Sequence, residues 1–323
     1  MQAPRAHFED GSTLCRFCEH CAWHPMSGDR TAVYAGLFAG LAFGVFWIPI
    51  RALEEVGFVG PWAMVIFAGL PTLACLPLAW RARRIYATSG LYALSGGILG
   101  GIAFALYATA FLYTDVVRVI VLFYAMPAWG FLLAWLVLKD PITPARMVTL
   151  ALCFSGLYVV FGRQSGLPVP ENLGDWCALL SGMIWAASAL LILIHRRVGY
   201  VVHSINFLGV AAIACLAVSL MATSQGTLAA PTWDQAKAAL IWLIPVSIVL
   251  TMPACFAAVF APTRLNPGVA GLLFTAEVVV GAITAAIWAD EVLGAREIVG
   301  LMLIIAAGLA EPALTVFRSR TRA

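Results

Sequence analysis

Residues 117–142, VRVIVLFYAMPAWGFLLAWLVLKDPI, form an apolar run interrupted at its centre by Pro127 and stopped by Lys139 and Asp140. A helix needs about twenty apolar residues to cross a hydrocarbon layer of roughly 30 Å, so this run is long enough to span a membrane. It also carries its own bend point, because proline removes a backbone donor and crowds the preceding turn. A related stretch recurs near the end of the chain. At an offset of 151 residues, Leu122 and Phe123 fall on Leu273 and Phe274, Gly130 on Gly281, Ala134 on Ala285, and the acidic stop Asp140 on Glu291. The chain therefore contains an internal repeat.

Composition agrees with a membrane solvent. Of the 323 residues, 62% are hydrophobic and only 11% charged, and the charges cluster between apolar runs, which excludes an ordinary soluble globule. Lipid offers no hydrogen bonds to the backbone, so the crossing segments must be helices. No alternation of period two points to a β-barrel. Ten such runs follow one another, at about 31–50, 61–80, 90–112, 117–138, 144–162, 173–194, 202–222, 237–260, 267–289 and 295–316. The net charge is +3, with basic residues scattered among connections, so no nucleic-acid surface is implied. Cys75, Cys153, Cys177, Cys215 and Cys255 lie inside apolar runs, where a thiol behaves as a small hydrophobe.

Alternate connections differ in Lys and Arg. One set holds Arg30, Arg81, Arg83, Arg84, Lys139, Arg146, Arg196, Arg197, Arg264, Arg318, Arg320 and Arg322; the other holds Arg51, Arg118, Arg163, Lys237 and Arg296. Positive residues accumulate on the cytoplasmic side. Both termini are expected in the cytoplasm, the protein itself in the cytoplasmic (inner) membrane, and an even number of spans between. Five runs per half is an odd number, so the second half enters the membrane from the opposite side. The first runs of the two halves also pair, Gly44 and Trp47 matching Gly182 and Trp185 at an offset of 138. The expected fold is an all-α polytopic membrane protein, ten transmembrane helices as two inverted five-helix repeats. Its units are a polar N-terminal tail at 1–30, repeats at 31–162 and 173–316, a linker at 163–172 and a basic tail at 317–323. Inverted repeats of this kind recur in secondary transporters, whose substrate sits between the halves near the midplane.

Several residues resemble a known family. Pro127, Gly130, Ala134, Trp135 and Asp140, followed by Leu150, Leu152 and Gly156, resemble the end of the EamA domain of the drug/metabolite transporter superfamily, and so do Glu277, Gly281, Ala285, Glu291, Gly300 and Gly308. The similarity covers residues 31–316 and is diffuse. It departs at Asp140, where Glu is usual, and at Val278, where the second copy usually carries the proline. The resemblance implies ten helices in two inverted repeats around a central cavity, and export or exchange of small metabolites.

Ionisable residues within lipid mark function, because a charge at the bilayer centre costs at least about 2.5 to 3.5 kcal/mol. Glu277 lies deepest, near the middle of the ninth run. Burial disfavours the charged form of a carboxyl, so this one is read either as a proton-coupling group and anchor for a cationic substrate group, or as a protonated side chain bonded to a neighbouring helix. Arg118, one turn beyond Asp115, is read as a ligand for a substrate carboxylate or an outer gate, or as a side chain snorkelling to the interface. Arg51, Glu54 and Glu55 read as an interfacial cluster, and Asp140 and Glu291 as helix caps or partners of Arg146 and Arg296. Trp47, Tyr107, Phe123, Trp129, Trp185 and Phe274 are candidate cavity aromatics, with the repeat-related pairs Phe123/Phe274 and Trp47/Trp185 foremost.

The tail holds Cys15, Cys18, Cys21 and His24, residue types that bind zinc or iron–sulfur clusters, though four ligands within ten residues leave little room for a closed site. It reads as a disordered segment or an upstream extension of the reading frame, and no metal is expected. The expected function is secondary-active transport of a small organic metabolite, such as an amino acid or related solute, by an exporter or exchanger without cofactor. Its partners are the solute, the lipid bilayer and protons as a candidate coupling ion, in a monomer or homodimer. The alternatives are an integral-membrane enzyme or a sensor using the tail cysteines. The apolar runs show no His-x-x-x-His, no paired aspartates at ligand spacing and no Ser in a Gly-rich elbow, which weighs against an enzyme.

Overall fold

The computed structural model describes residues 29–114, 116–165, 170–288 and 294–320. All regular elements among them are helical. Seven helical segments are long and apolar enough to cross a membrane: Arg30–Glu55, Leu91–Ala110, Arg118–Leu138, Leu173–Ile194, Tyr200–Ser224, Trp233–Thr263 and Pro267–Trp288. Shorter apolar helices cover Pro61–Ala74, Pro144–Val160 and Ile298–Gly308, where the sequence led us to expect full runs. The 61–80 run is divided at Cys75, between Pro71 and Pro77, into helices Pro61–Ala74 and Leu76–Arg81.

The helices break where the chain cannot complete its ladder. The first run splits into Arg30–Gly44 and Trp47–Glu55, four residues before Pro49, whose missing N–H leaves the Val45 carbonyl without its helical donor. The opening stretch splits likewise into Val116–Phe123 and Met126–Leu138, with Pro127 in the first turn of the second piece. Its repeat partner splits at Thr275 into Pro267–Phe274 and Ala276–Trp288, so both bends fall at corresponding positions. The second copy bends without the proline. There the Thr275 hydroxyl donates to the Leu272 carbonyl at 2.6 Å, a side-chain bond that competes with the ladder and bends helices.

Close approach relies on small residues, as lipid-embedded helices require. A Cβ on Gly156 would lie 2.7 Å from the Gly300 carbonyl oxygen, which brings helices Pro144–Ser165 and Ala295–Arg320 into backbone contact. A Cβ on Gly130 would lie 2.6 Å from the Gly268 nitrogen, which locks the second piece of one bent helix against the first piece of the other.

Two Asp–Arg ties join the halves. Asp29 caps the first helix, accepting from the Thr31 and Ala32 amides, and receives Arg264 Nη1 at 2.9 Å just before helix Pro267–Phe274. Asp175, in the first turn of Leu173–Ile194, receives Arg118 from the other bent helix. Asp115, Glu291, the tail cysteines Cys15, Cys18 and Cys21, His24 and linker residues 166–169 lie outside the described residues.

Candidate functional site

A cavity of about 950 Å³ runs from one end of the helices to mid-depth. Its wall follows from the helix breaks. The piece 47–55 beyond the first break contributes Trp47, Ile50, Arg51 and Glu54; the bends at 124–125 and 275 bring Phe123, Tyr124, Phe274 and Glu277 to the floor. Trp185 and Phe207 close the far side. The opposite end of the molecule contributes none of the lining residues.

Of the sequence candidates, Glu277, Trp47, Tyr107, Phe123, Trp185 and Phe274 all line this cavity. Glu277 sits in the first turn of Ala276–Trp288, just after the break at Thr275. The buried Tyr124 hydroxyl interacts with its carboxyl and donates at 3.4 Å to the Phe274 carbonyl. Trp47 Nε1 donates to Thr284 Oγ1 at 2.8 Å, which ties the second piece of the first helix to the helix that carries Glu277. Rings pack in two chains. Tyr107 lies 4.6 Å from Phe123, which lies 5.4 Å from Tyr124; Trp185 lies 6.0 Å from Phe274 and 5.6 Å from Phe207.

Arg118 and Trp129 are not brought to the cavity. Arg118 is clamped by fully buried Asp175 through Nε at 3.1 Å and Nη2 at 2.5 Å, with Glu171 at 3.6 Å. Asp175 also accepts from the Thr114 hydroxyl at 2.7 Å and the Glu171 amide at 2.9 Å, so the carboxylate is held on several sides. Arg51 and Glu54, read as an interfacial cluster, line the cavity near its mouth. Asp140 meets Arg146 at 2.9 Å, one of the contacts the sequence suggested, and accepts from Asn266 Nδ2 at 2.5 Å, which it did not.

Sequence reasoning missed Tyr124, Thr284, Asp175 and Asn266. Asp175 carried a legible signal, an acid opening an apolar run. The others are ordinary polar residues whose neighbours only folding supplies. Among the described residues no group of three or more His, Cys, Asp or Glu is placed to hold a metal, and the five described cysteines are buried and free.

These features define an integral-membrane protein of apolar helices around a cavity with a carboxylate at its floor. Residues 30–162 match the sequence model of the EamA-like transporter family. That match covers the first part of the chain and is consistent with the drug/metabolite transporter superfamily its motifs resemble; members of the matched family are generally transporters rather than enzymes. Twenty-seven solved chains match. One crystal structure among them superposes with a TM-score of 0.68 at 17% identity, covering 90% of this chain and 99% of its own. At that identity the likeness speaks for the fold alone. No curated protein matches the sequence.

Proposed function

We propose that this protein is a secondary-active transporter of a small organic metabolite, working by alternating access without ATP. The observation that carries the reading is the cavity, which opens at one end and stops at Glu277, where contacts between the two related halves begin. In this reading residues 31–162 and 173–316 are inverted five-helix repeats joined by 163–172. The corresponding bends at 124–125 and 275 and the two Asp–Arg ties support that symmetry. The distribution of Arg and Lys puts both termini in the cytoplasm of the inner membrane, so the mouth beside Arg51 and Glu54 faces outward. Rocking the halves about Gly130 and Gly268 then exposes the same floor to the cytoplasm, with Glu277 as the group that exchanges a proton during the cycle.

A thermal-shift screen of purified protein against amino acids, nucleobases, amines and vitamins identifies the solute, because a ligand of the folded form raises apparent stability. The bound solute, radiolabelled, should then show counterflow in proteoliposomes without nucleotide, and Glu277→Gln should alter its pH dependence. A solute that binds but never exchanges across the bilayer defeats the transporter reading. Unchanged transport and pH dependence in Glu277→Gln defeats the coupling role alone.

A further inference from the structure

The charge layout of the cavity says more about its ligand than its size does. Among the described residues three formally charged side chains line it: Glu277, Arg51 and Glu54. They are not at one level. Gly44 packs directly on the Glu277 backbone, a Cβ there falling 2.9 Å from its carbonyl oxygen. Arg51 lies seven residues further on, past the helix break, in the piece Trp47–Glu55. Arg51 also faces Glu54 one turn on, within electrostatic reach. At the floor Glu277 is thus the one lining residue with a formal charge, and its near neighbours are ring faces and the Tyr124 hydroxyl.

We infer that the cavity takes an organic monocation with a flat apolar body, its charge on the Glu277 carboxylate and its body among the rings of Phe123, Tyr124, Trp185 and Phe274. This rests on the reading of the cavity as the transport site. A carboxylate in an apolar enclosure needs a compensating positive group. The described residues of the floor supply none, so the ligand or a proton does. Aromatic faces carry negative quadrupole charge and attract cations, most strongly when water is excluded. An α-amino acid fits poorly, since its carboxylate would sit one carbon from its ammonium, among rings, while Arg51 stands beyond the helix break beside Glu54. An organic anion meets Glu277 and ring faces of the same sign.

An indole series separates charge from shape. Binding of tryptamine, tryptophan and indole-3-acetate, with benzyltrimethylammonium as a permanent cation, is measured by calorimetry on wild type, Glu277→Gln and Glu277→Asp, each checked for an unchanged melting temperature. Tryptamine and benzyltrimethylammonium should bind at least about tenfold tighter than indole-3-acetate or tryptophan, or ~1.4 kcal/mol. Glu277→Gln should weaken both cations by about the same factor, with partial recovery in Glu277→Asp. Equal or tighter binding of tryptophan or indole-3-acetate, cation binding unaffected by Glu277→Gln, or no binding of either cation overturns the inference. Exchange of tryptophan or indole-3-acetate across proteoliposomes would leave transport standing and sink the substrate class. Tryptamine that binds through Glu277 but never exchanges would do the reverse.

Discussion

The bent helices at 116–138 and 267–288 have related sequences and corresponding breaks, yet their second pieces lie in opposite surroundings. In the first, Gly130 is pressed against the Gly268 backbone and Phe131 is buried beneath Arg146, whose guanidinium lies 5.2 Å from the ring centroid. In the second, a Cβ on the equivalent Gly281 would find nothing nearer than the Gly44 oxygen at 3.7 Å. One copy seals an end of the molecule; the other borders the cavity. The same contrast holds at the bend, where buried Met126 faces the cavity from one copy and a carboxylate from the other. The lesson is that two related sequences bend alike, while the helices around them decide which is clamped.

Five substitutions, scored by thermal or denaturant unfolding in detergent, sharpen or break the contrast. Asp140→Ala should cost most, about 3 kcal/mol, because Arg146 is 5% exposed and loses a buried charged partner, and Asn266 loses its acceptor. A loss below ~1 kcal/mol would show that this end is not held by the Asp140 contact. Gly130→Ala should cost about 1–3 kcal/mol through overpacking, whereas Gly281→Ala, with ordinary clearance, should stay within ~0.5 kcal/mol. Equal costs would erase the difference between the copies. Thr275→Val, which keeps the side-chain volume and removes the hydroxyl bonded to Leu272, should cost about 1 kcal/mol. An unchanged protein would mean that the second bend does not need that bond. Trp47→Phe should lose about 0.5–1.5 kcal/mol with the bond to Thr284.

Much of the fold was legible because the signals are local. Seven of the ten runs appear as helices long and apolar enough to span a bilayer, and Pro127 announces its own bend. The matching bend at Thr275 was not legible, since a hydroxyl bends a helix only when it turns to its own carbonyl, a choice made by surrounding packing. Glu277 and the paired aromatics stood out for the converse reason: a carboxylate deep in lipid and rings at repeat-related positions are rare enough to be noticed singly. Arg118 could be noticed but not placed, because Asp175 lies 57 residues away in sequence.

By itself the sequence determined the membrane environment and the apolar runs and singled out the deep carboxylate Glu277, since hydrophobic length and charge count act through composition and spacing. Only the tertiary structure decided that Arg118 serves Asp175 rather than the cavity, that Asp140 reaches Asn266 in the other half, and that Gly130 is clamped while Gly281 is free. Those outcomes depend on which helices touch. In a chain whose spans are nearly all apolar, contact is selected by small residues and a few polar partners distant in sequence, not by hydrophobicity.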